Sequence, residues 1–286
     1  MTVTKHLEQL VLGALMEDLG GGDLTTESTI DSEQLAVACA VAKSELVLSG
    51  SDVFSMCFHA VHPGCRVEQL AADGDLVAPG TEVLRAEGPT RALLMAERTA
   101  LNFLQHLSGI ATLTRTFVQA AAGRARIADT RKTTPGLRRL ERQAVRHGGG
   151  HNHRNDLGSA VLIKDNHIAA AGSVTLAIQR ARAHAPHTSK IEIEVTTLAE
   201  LSEALNAGAE VILLDHFDDR AVEKAVKTTN GRALLEVSGN VTLERVGRLA
   251  QLGIDVISVG ALTHSAPAAD ISLRLSPIGG PLGGGQ

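Results

Sequence analysis

Arginine, lysine and histidine crowd into residues 129 to 167, DTRKTTPGLRRLERQAVRHGGGHNHRNDLGSAVLIKDNH, in a chain whose formal net charge is −5. Between Arg131 and Arg154, seven Arg or Lys residues stand against one Glu. Charge this localised points to an anionic small molecule. Arg131, Lys132, Arg154 and Lys164 offer fixed positive charge, and the paired N–H donors of a guanidinium match the two oxygens of a carboxylate or phosphate. Glu194 and Asp215 can bind a hydrated divalent cation or face a cationic centre that develops during reaction. Ser238-Gly239-Asn240 and Gly260-Ala261 expose backbone N–H groups just ahead of helical patterns, the makings of a phosphate cradle.

These residues share a place in the pattern of the chain. From about residue 126, apolar runs alternate with helical periodicity. IEIEV (191–195), VILLDHF (211–217), LLEVSG (234–239) and DVISVGAL (255–262) start 20, 23 and 21 residues apart. Parallel strands need a crossover helix between them, and this spacing provides it; Gly208, Gly231 and Gly253 stand where helix C-caps belong. ARIADTRK and VLIKDNHI add two earlier strands. A (β/α) barrel is favoured over an open doubly wound sheet, and the strand ends then converge on one rim, where barrel active sites are built. Those ends read Thr130-Arg131-Lys132, Lys164-Asp165-Asn166-His167, Glu194, Asp215-His216, Ser238-Gly239-Asn240 and Gly260-Ala261.

The first hundred residues read differently. LAVACAVAKSELVLSG alternates apolar with small polar residues, and VEQLAADGDLVAPGTEVLRAEG holds two strand-like runs broken by turn residues, which predicts a small, mostly antiparallel sheet. Residues 91 to 120 have helical periodicity and form the bridge between the two regions. The tail SPIGGPLGGGQ reads as a flexible surface segment.

Composition narrows the function classes. A hydrophobic content of 44% over 286 residues supplies a core of barrel size. The opening MTVTKHLEQLVLGALMEDLG is an amphipathic helix pattern with acids inside it, unlike a signal peptide, and no apolar run is long enough to span a bilayer, so a soluble cytoplasmic protein without membrane contact is expected. Cys39, Cys57 and Cys65 are odd in number and form no CxxC pair, which disfavours a disulfide framework or a thiolate zinc site. With no Trp, no Tyr and five Phe, the chain lacks the stacking platforms of single-stranded nucleic-acid binders, and no nucleic-acid partner is expected.

Several polar residues carry a structural reading instead. Arg138, Arg139, Arg142 and Arg146 fall on a helix starting at Pro135, with Leu137, Leu140, Ala144 and Val145 as its apolar stripe, and most of these arginines read as solvated or interface charges. His147, His151 and His153 beside Gly148-Gly149-Gly150 have no accompanying Cys or HExxH spacing, so a hydrogen-bonding role for His153 is preferred to zinc. Glu192 alternates with Glu194 and reads as a support residue if both point into the barrel. Asp23 and Thr25-Thr26 look like a capped turn.

Taken in order, EDLGGGDLTT, AERTALNFLQHLSGIAT, DTRKTTPGLR, AVRHGGGHNHR, LIKDNHIAAAG, EIEV, ILLD, LEVSGN and ISVGALTHS resemble the quinolinate phosphoribosyltransferase family, one of the type II phosphoribosyltransferases, over roughly residues 5 to 275. The resemblance implies an N-terminal open-faced α/β sandwich over residues 1–108, joined by 270–278, and an open seven-stranded (β/α) barrel over 109–269, with 279–286 as the tail. It also implies a homodimer whose active site takes Arg98, in AERT, from the partner. Thr130, Arg131, His153, Arg154 and Lys164 then match the group that holds quinolinate. Lys132 resembles the lysine near the reacting centre and pyrophosphate. Glu194 and Asp215 resemble the acids that engage the ribose hydroxyls and the magnesium of phosphoribosyl pyrophosphate, and Lys132, Glu194 and Asp215 are the catalytic set. Ser238, Gly239, Asn240, Gly260 and Ala261 resemble the 5′-phosphate loops.

The implied reaction transfers phosphoribosyl to quinolinate with decarboxylation, giving nicotinate mononucleotide, pyrophosphate and carbon dioxide in NAD synthesis, with Mg2+ as cofactor. Two other readings compete: a related transferase acting on another aromatic acid, and a phosphate-binding barrel without turnover. A monocarboxylate needs fewer cations, and mere binding needs no acids beside the sugar. The chain departs from the family's pattern at Arg142-Gln143, Asp156, Ser159 and His216. Asp156 adds a negative charge near the expected dicarboxylate site and is expected to weaken binding there.

Overall fold

A computed structural model describes residues 3–239 and 241–278. The chain divides into two compact units. The first comprises residues 1–112, 139–148 and 266–286, the second residues 113–138 and 149–265. Asn240 and the tail 279–286 lie outside the described residues.

In the first unit, the alternating run expected from LAVACAVA becomes β1 (Leu35–Ala42), whose Ala36, Ala38 and Ala40 are fully buried. The short pair β2 (Leu46–Val47) and β4 (Leu76–Val77) flanks β3 (Arg66–Gln69) in the chain, and β5 (Glu82–Pro89) follows. β1 pairs antiparallel with β5, and β5 with β3. On the other edge of β1 lies the last strand of the chain, Ile271–Pro277, with Ala36 opposite Pro277 and Ala42 opposite Ile271. The helices α1 (Val3–Leu19), α2 (Leu24–Thr29) and α3 (Ser51–Val61) belong to the same unit. Asp23 caps α2 by accepting from the Thr26 N–H at 2.9 Å, as the capped-turn reading required. α3 carries the buried rings Phe54 and Phe58, 4.9 Å apart between centroids.

The bridge helix α4 (Thr90–Ala121) runs on through Ser108-Gly109. Gly109 has a packing reason: a Cβ there would sit 2.0 Å from the Pro267 carbonyl oxygen, so only a residue without a side chain lets the returning chain pass. α5 (Arg138–His147) begins three residues later than the Pro135 start read from the sequence. Gly136 takes φ +83° and Leu137 N–H donates to the Thr134 carbonyl, a turn that delays the helix. α5 is anchored by its buried Glu141, which lies 2.8 Å from His106 Nε2, and by His147 Nδ1, 2.9 Å from Ser49 Oγ.

The second unit is a parallel sheet. In chain order its strands are β6 (Arg126–Ala128), β7 (Val161–Ile163), β8 (Ile191–Val195), β9 (Val211–Asp215), β10 (Leu234–Ser238) and β11 (Val256–Ser258), and their spatial order is β6-β11-β10-β9-β8-β7. The C-terminal strand described above is β12. The sheet has six strands among the described residues; the seventh position expected of the barrel is a single parallel bridge from His151 to Ala128 on the outer edge of β6. The Gly-rich run before His151 supplies no apolar side chains to extend that pairing.

The helices of this unit are α6 (Asp165–Ala171), α7 (Val174–His184), α8 (Leu198–Asn206), α9 (Asp219–Thr229), α10 (Leu243–Leu252) and the short α11 (Ala261–His264). Capping follows the local sequence: Thr197 and Glu200 form a reciprocal box on α8, and Asp218 accepts from Ala221 N–H at 2.7 Å on α9. Of the three expected glycine caps, Gly253 caps α10 itself. At α9 Asn230 takes the left-handed cap with Gly231 behind it, and at α8 Gly208 follows the cap residue Ala207.

Ile191, Ile193, Ile212, Leu214, Leu235 and Val237 are buried, whereas Glu194, Asp215 and Ser238, offset by one position, are partly open. Successive strand residues face opposite sides, so the apolar set packs on one side and the polar set gathers on the other.

Candidate active site

The polar side chains of β6 to β11 converge on one pocket of about 430 Å³. Its wall includes Thr130, Arg131, Lys132, His153, Arg154, Lys164, Glu194, Asp215, Ser238 and Gly239, ten of the residues singled out from the sequence. All belong to the second unit. The sheet must be rolled to achieve this. His153 follows the edge segment beside β6, five strand positions from β8, which is roughly 24 Å in a flat sheet at standard spacing. Its Nε2 nevertheless lies 3.4 Å from the Glu192 carboxylate on β8.

Each cation is placed by backbone contacts. Arg131 and Lys132 leave the end of β6 in a tight turn in which Thr133 N–H donates to the Arg131 carbonyl at 2.9 Å. Arg138 clamps the same turn, with Nε 3.0 Å from Thr133 Oγ1 and Nη2 3.4 Å from the Arg131 carbonyl. The solvated reading of Arg138 is therefore corrected: it shapes the loop, because bare turn carbonyls need donors. Lys132 packs against Gly260, where a Cβ would lie 3.1 Å from Lys132 Cδ, and its carbonyl accepts from Thr263 Oγ1 at 2.8 Å. Asp129, fully buried, accepts from Asn152 Nδ2 at 2.6 Å and from His153 N–H at 2.7 Å, tying the His153-Arg154 segment to β6.

Lys164 lies 2.5 Å from Glu194 Oε2, a charge-assisted contact that presets both side chains. Beside it, His167 receives the Lys164 backbone N–H on Nδ1 at 2.9 Å, so His167 is a capping residue of α6. On the far wall, Asp215 Oδ2 is 3.5 Å from His216 Nε2, and His216 holds φ +57°, a left-handed conformation unusual for a residue with a Cβ. Gly239, at φ +90°, stands where a Cβ would be 3.2 Å from Asp215 Oδ1.

Beneath the cations sit two acids. Glu192 and Glu236 are 7% and 3% exposed and approach His153 Nε2 at 3.4 and 3.5 Å. Glu236 belongs to the pocket wall and was absent from the sequence-derived set; its position two residues before Ser238, on the same face, is the signal that marks it. Burial pushes the Glu192 carboxyl above its ordinary range. Hydrogen bonding to Glu192, then to Glu236, pulls His153 up to about 10. The Arg154 N–H opposes full ring protonation, because it donates to His153 Nδ1 at 2.7 Å and needs a lone pair there. That contact favours the tautomer with its proton on Nε2, facing the two acids. Burial, then repulsion from Arg131, lowers Arg154, a cost that a bound anion would remove.

His153, Glu192 and Glu236 are the one His/Cys/Asp/Glu group among the described residues whose ligand atoms, all within 4.8 Å of one another, could hold a metal ion. The three clustered histidines also part company: His147 turns to Ser49, His151 makes the strand bridge and His153 enters the pocket.

Other expected residues lie elsewhere. Arg98 is exposed on α4 and does not line this pocket. Gly260 and Ala261 are half-buried behind Lys132 rather than on the wall, and Asn240 is outside the described residues. Asp156, expected near the dicarboxylate site, does not line the pocket: its carboxylate accepts from Gly158 N–H and Asn155 Nδ2, both at 2.9 Å, in an exposed turn. Ser159 closes that turn by accepting from Asn155 N–H at 2.9 Å.

Comparison with known proteins agrees with this architecture. The family described as "Quinolinate phosphoribosyl transferase, N-terminal domain" matches residues 23–108, and its C-terminal-domain counterpart matches residues 110–274. The chain is 44% identical over 269 residues to the nicotinate-nucleotide pyrophosphorylase [carboxylating] of Mycobacterium leprae, covering 92% of this chain and 94% of the relative. It is 40% identical over 291 residues to the chloroplastic protein of that name from Arabidopsis thaliana, covering 95% and 83%. The crystal structure of NadC from Streptococcus pyogenes superposes with a TM-score of 0.92 at 41% identity, covering 97% of this chain and 99% of that one.

Proposed function

The chain belongs to the quinolinate phosphoribosyl transferase family, and on that premise we propose how its barrel pocket carries out the family's reaction. The protein is a carboxylating nicotinate-nucleotide pyrophosphorylase. It transfers phosphoribosyl from phosphoribosyl pyrophosphate to quinolinate, releasing pyrophosphate and carbon dioxide and leaving nicotinate mononucleotide for NAD synthesis. The observation that carries the reading is the convergence of Arg131, Lys132, Arg154 and Lys164 with Glu194 and Asp215 on one wall. Four cations suit two carboxylates and a pyrophosphate, and the acids suit a sugar carbon that turns cationic.

In this mechanism Arg131, Arg154 and Lys164, with Thr130 beside them and His153 behind Arg154 in the same group, hold quinolinate so that its ring nitrogen faces the ribose. Lys132, braced against Gly260, neutralises charge on the departing pyrophosphate. Glu194 and Asp215 bind the ribose hydroxyls and stabilise oxocarbenium character at C1 as the nitrogen attacks. Magnesium, if carried in with phosphoribosyl pyrophosphate, would supply further neutralisation of the leaving group. Glu194 and Asp215, hard oxygen donors on one wall, would hold it through the substrate. Ser238 and Gly239, with Asn240, receive the 5′-phosphate, and Gly260 and Ala261 back Lys132 from behind the wall. Once glycosylated, the pyridinium ring accepts the electrons left by the 2-carboxylate, and carbon dioxide departs.

The site is completed by Arg98 of a second copy in a homodimer. Support for this is the exposure of Arg98 and its absence from the pocket wall of its own chain. A cytoplasmic setting fits the phosphorylated substrate, and among the described residues no helix is long and apolar enough to cross a membrane. The deciding assay is carbon dioxide release from carboxyl-labelled quinolinate with phosphoribosyl pyrophosphate and magnesium, run beside nicotinate. Turnover of nicotinate and none of quinolinate would overturn the assignment.

A further inference from the structure

The acids under the pocket have no part in the reaction as described above. Glu192 and Glu236 lie on β8 and β10, two strand positions apart, and both point to the axis of the rolled sheet. Carboxylates so deeply buried are costly unless hydrogen-bonded or paired. Among the described residues, the donor offered to both is His153 Nε2, and Glu236 Oε1 has no partner of hydrogen-bond geometry although its side chain is 4% exposed. The other ring nitrogen, Nδ1, is closed by the Arg154 N–H at 2.7 Å. Both nitrogens of His153 are thus spent inside the protein, one below and one on the backbone of the residue that reaches substrate.

We propose that Glu192 and Glu236 are positioning residues, a buried acidic seat that locks the His153 ring and, through its Nδ1, the backbone of Arg154. His153 then acts on the dicarboxylate through Arg154 and not by donating to it. The seat fixes the direction in which the Arg154 guanidinium leaves the chain, with Nη1 3.3 Å from the Ala160 carbonyl as its second support. Asp129 holds the same segment from the β6 side by accepting the His153 N–H. An arginine placed from both sides needs little reorganisation when the anion arrives, which is how supporting contacts raise affinity.

This inference rests on the reading that the pocket takes quinolinate, and its experiment separates the two. Histidine-labelled 15N spectra of the full-length wild-type protein should show His153 with its proton on Nε2 and a bare Nδ1, and quinolinate should leave that tautomer unchanged. A proton on Nδ1 in the free protein, or a ring nitrogen whose state changes when quinolinate is added, would overturn the proposal even if turnover is normal. Glu236→Leu removes the charge that faces His153 Nε2 at 3.5 Å and should raise the quinolinate KM about tenfold or more, with the phosphoribosyl pyrophosphate KM within about threefold. Glu236→Gln keeps an acceptor oxygen and should restore the quinolinate KM to within about threefold of wild type. A merely structural role would instead lower active fraction and thermal stability and move both KM values together. If Glu236→Leu does not fold, the Gln variant and the spectra still decide. Absence of wild-type turnover with quinolinate would sink the functional reading, while the tautomer of the free protein would stand as the test of the seat.

Discussion

Replacing Arg131 by alanine should abolish tight quinolinate binding while sparing the fold and the other substrate. The loop survives the change because its contacts are made by the backbone: the Arg131 carbonyl accepts from Thr133 N–H and from Arg138 Nη2. The Arg131 side chain contributes little to the resting structure, since its buried Nε has no hydrogen-bond partner. It lines a pocket that also holds Arg154 and Lys164. Leaving one substrate carboxylate unpaired in such a site costs about 2 to 5 kcal/mol, or roughly 30-fold to several thousand-fold in affinity. Two effects favour the lower half of that range. Arg154 and Lys164 remain, and removing Arg131 relieves the repulsion that lowers Arg154. We therefore expect the quinolinate Kd to rise about 100-fold by calorimetry, with phosphoribosyl pyrophosphate affinity within about threefold. Arg131→Lys keeps the charge but loses the planar fork, so an intermediate loss is expected. A quinolinate Kd in Arg131→Ala indistinguishable from wild type would refute the reasoning.

Arg98→Ala and Arg131→Ala chains should each be nearly inactive alone, yet an equal mixture after subunit exchange should regain about a quarter of wild-type activity, because half the dimers are mixed and each mixed dimer has one intact site. No recovery in verified mixed dimers would argue against sharing of Arg98. Gly109→Ala should lower stability by about 3 kcal/mol, at least ~6 °C in Tm by calorimetry, because its Cβ would meet the Pro267 carbonyl oxygen at 2.0 Å; an unchanged Tm would show that the returning segment shifts freely. Glu210 accepts from Arg182 Nη1 at 2.7 Å and from Ile191 N–H at 2.9 Å, and the Arg182 contact holds its carboxyl below the ordinary 4.5. A depressed acid stabilises above its unfolded value and loses that contribution as pH falls through the folded one. Glu210→Gln should therefore be less stable than wild type by about 0.5 to 1 kcal/mol at pH 7, given its exposure, and the gap should close as the pH drops below 4.5; a gap constant with pH would remove the charge from the explanation.

Much of the barrel could be read directly from the chain because its signals are local. IEIEV, VILLD and LLEVS are apolar runs of strand length, and the cap residue Gly253 stands beside the helix it ends. What escaped were features set by distant partners. The seventh strand position is one bridge at His151, with no apolar run to announce it. Arg138 looked like a surface charge on a helix and instead clamps the Arg131 turn, a role visible only once Thr133 and Asn155 are beside it. Asp129 and Glu236 look like a strand-end acid and a core interruption until the sheet rolls and brings them to His153.

By itself the sequence determined which chemistry this protein carries: fixed cations at two strand ends, acids at two others and glycines where phosphate is expected, in the order of a known family. Side-chain type and strand parity are local properties, so they needed no coordinates. The tertiary structure alone decided which of these groups meet. Rolling the sheet closes five strand spacings and sets His153 against acids from two other strands. Only that closure shows that both nitrogens of His153 are committed within the protein, that Glu194 is already paired with Lys164, and that Asp156 faces a turn and not the pocket wall. Distances between residues far apart in the chain come from packing, and packing is settled by the whole core at once.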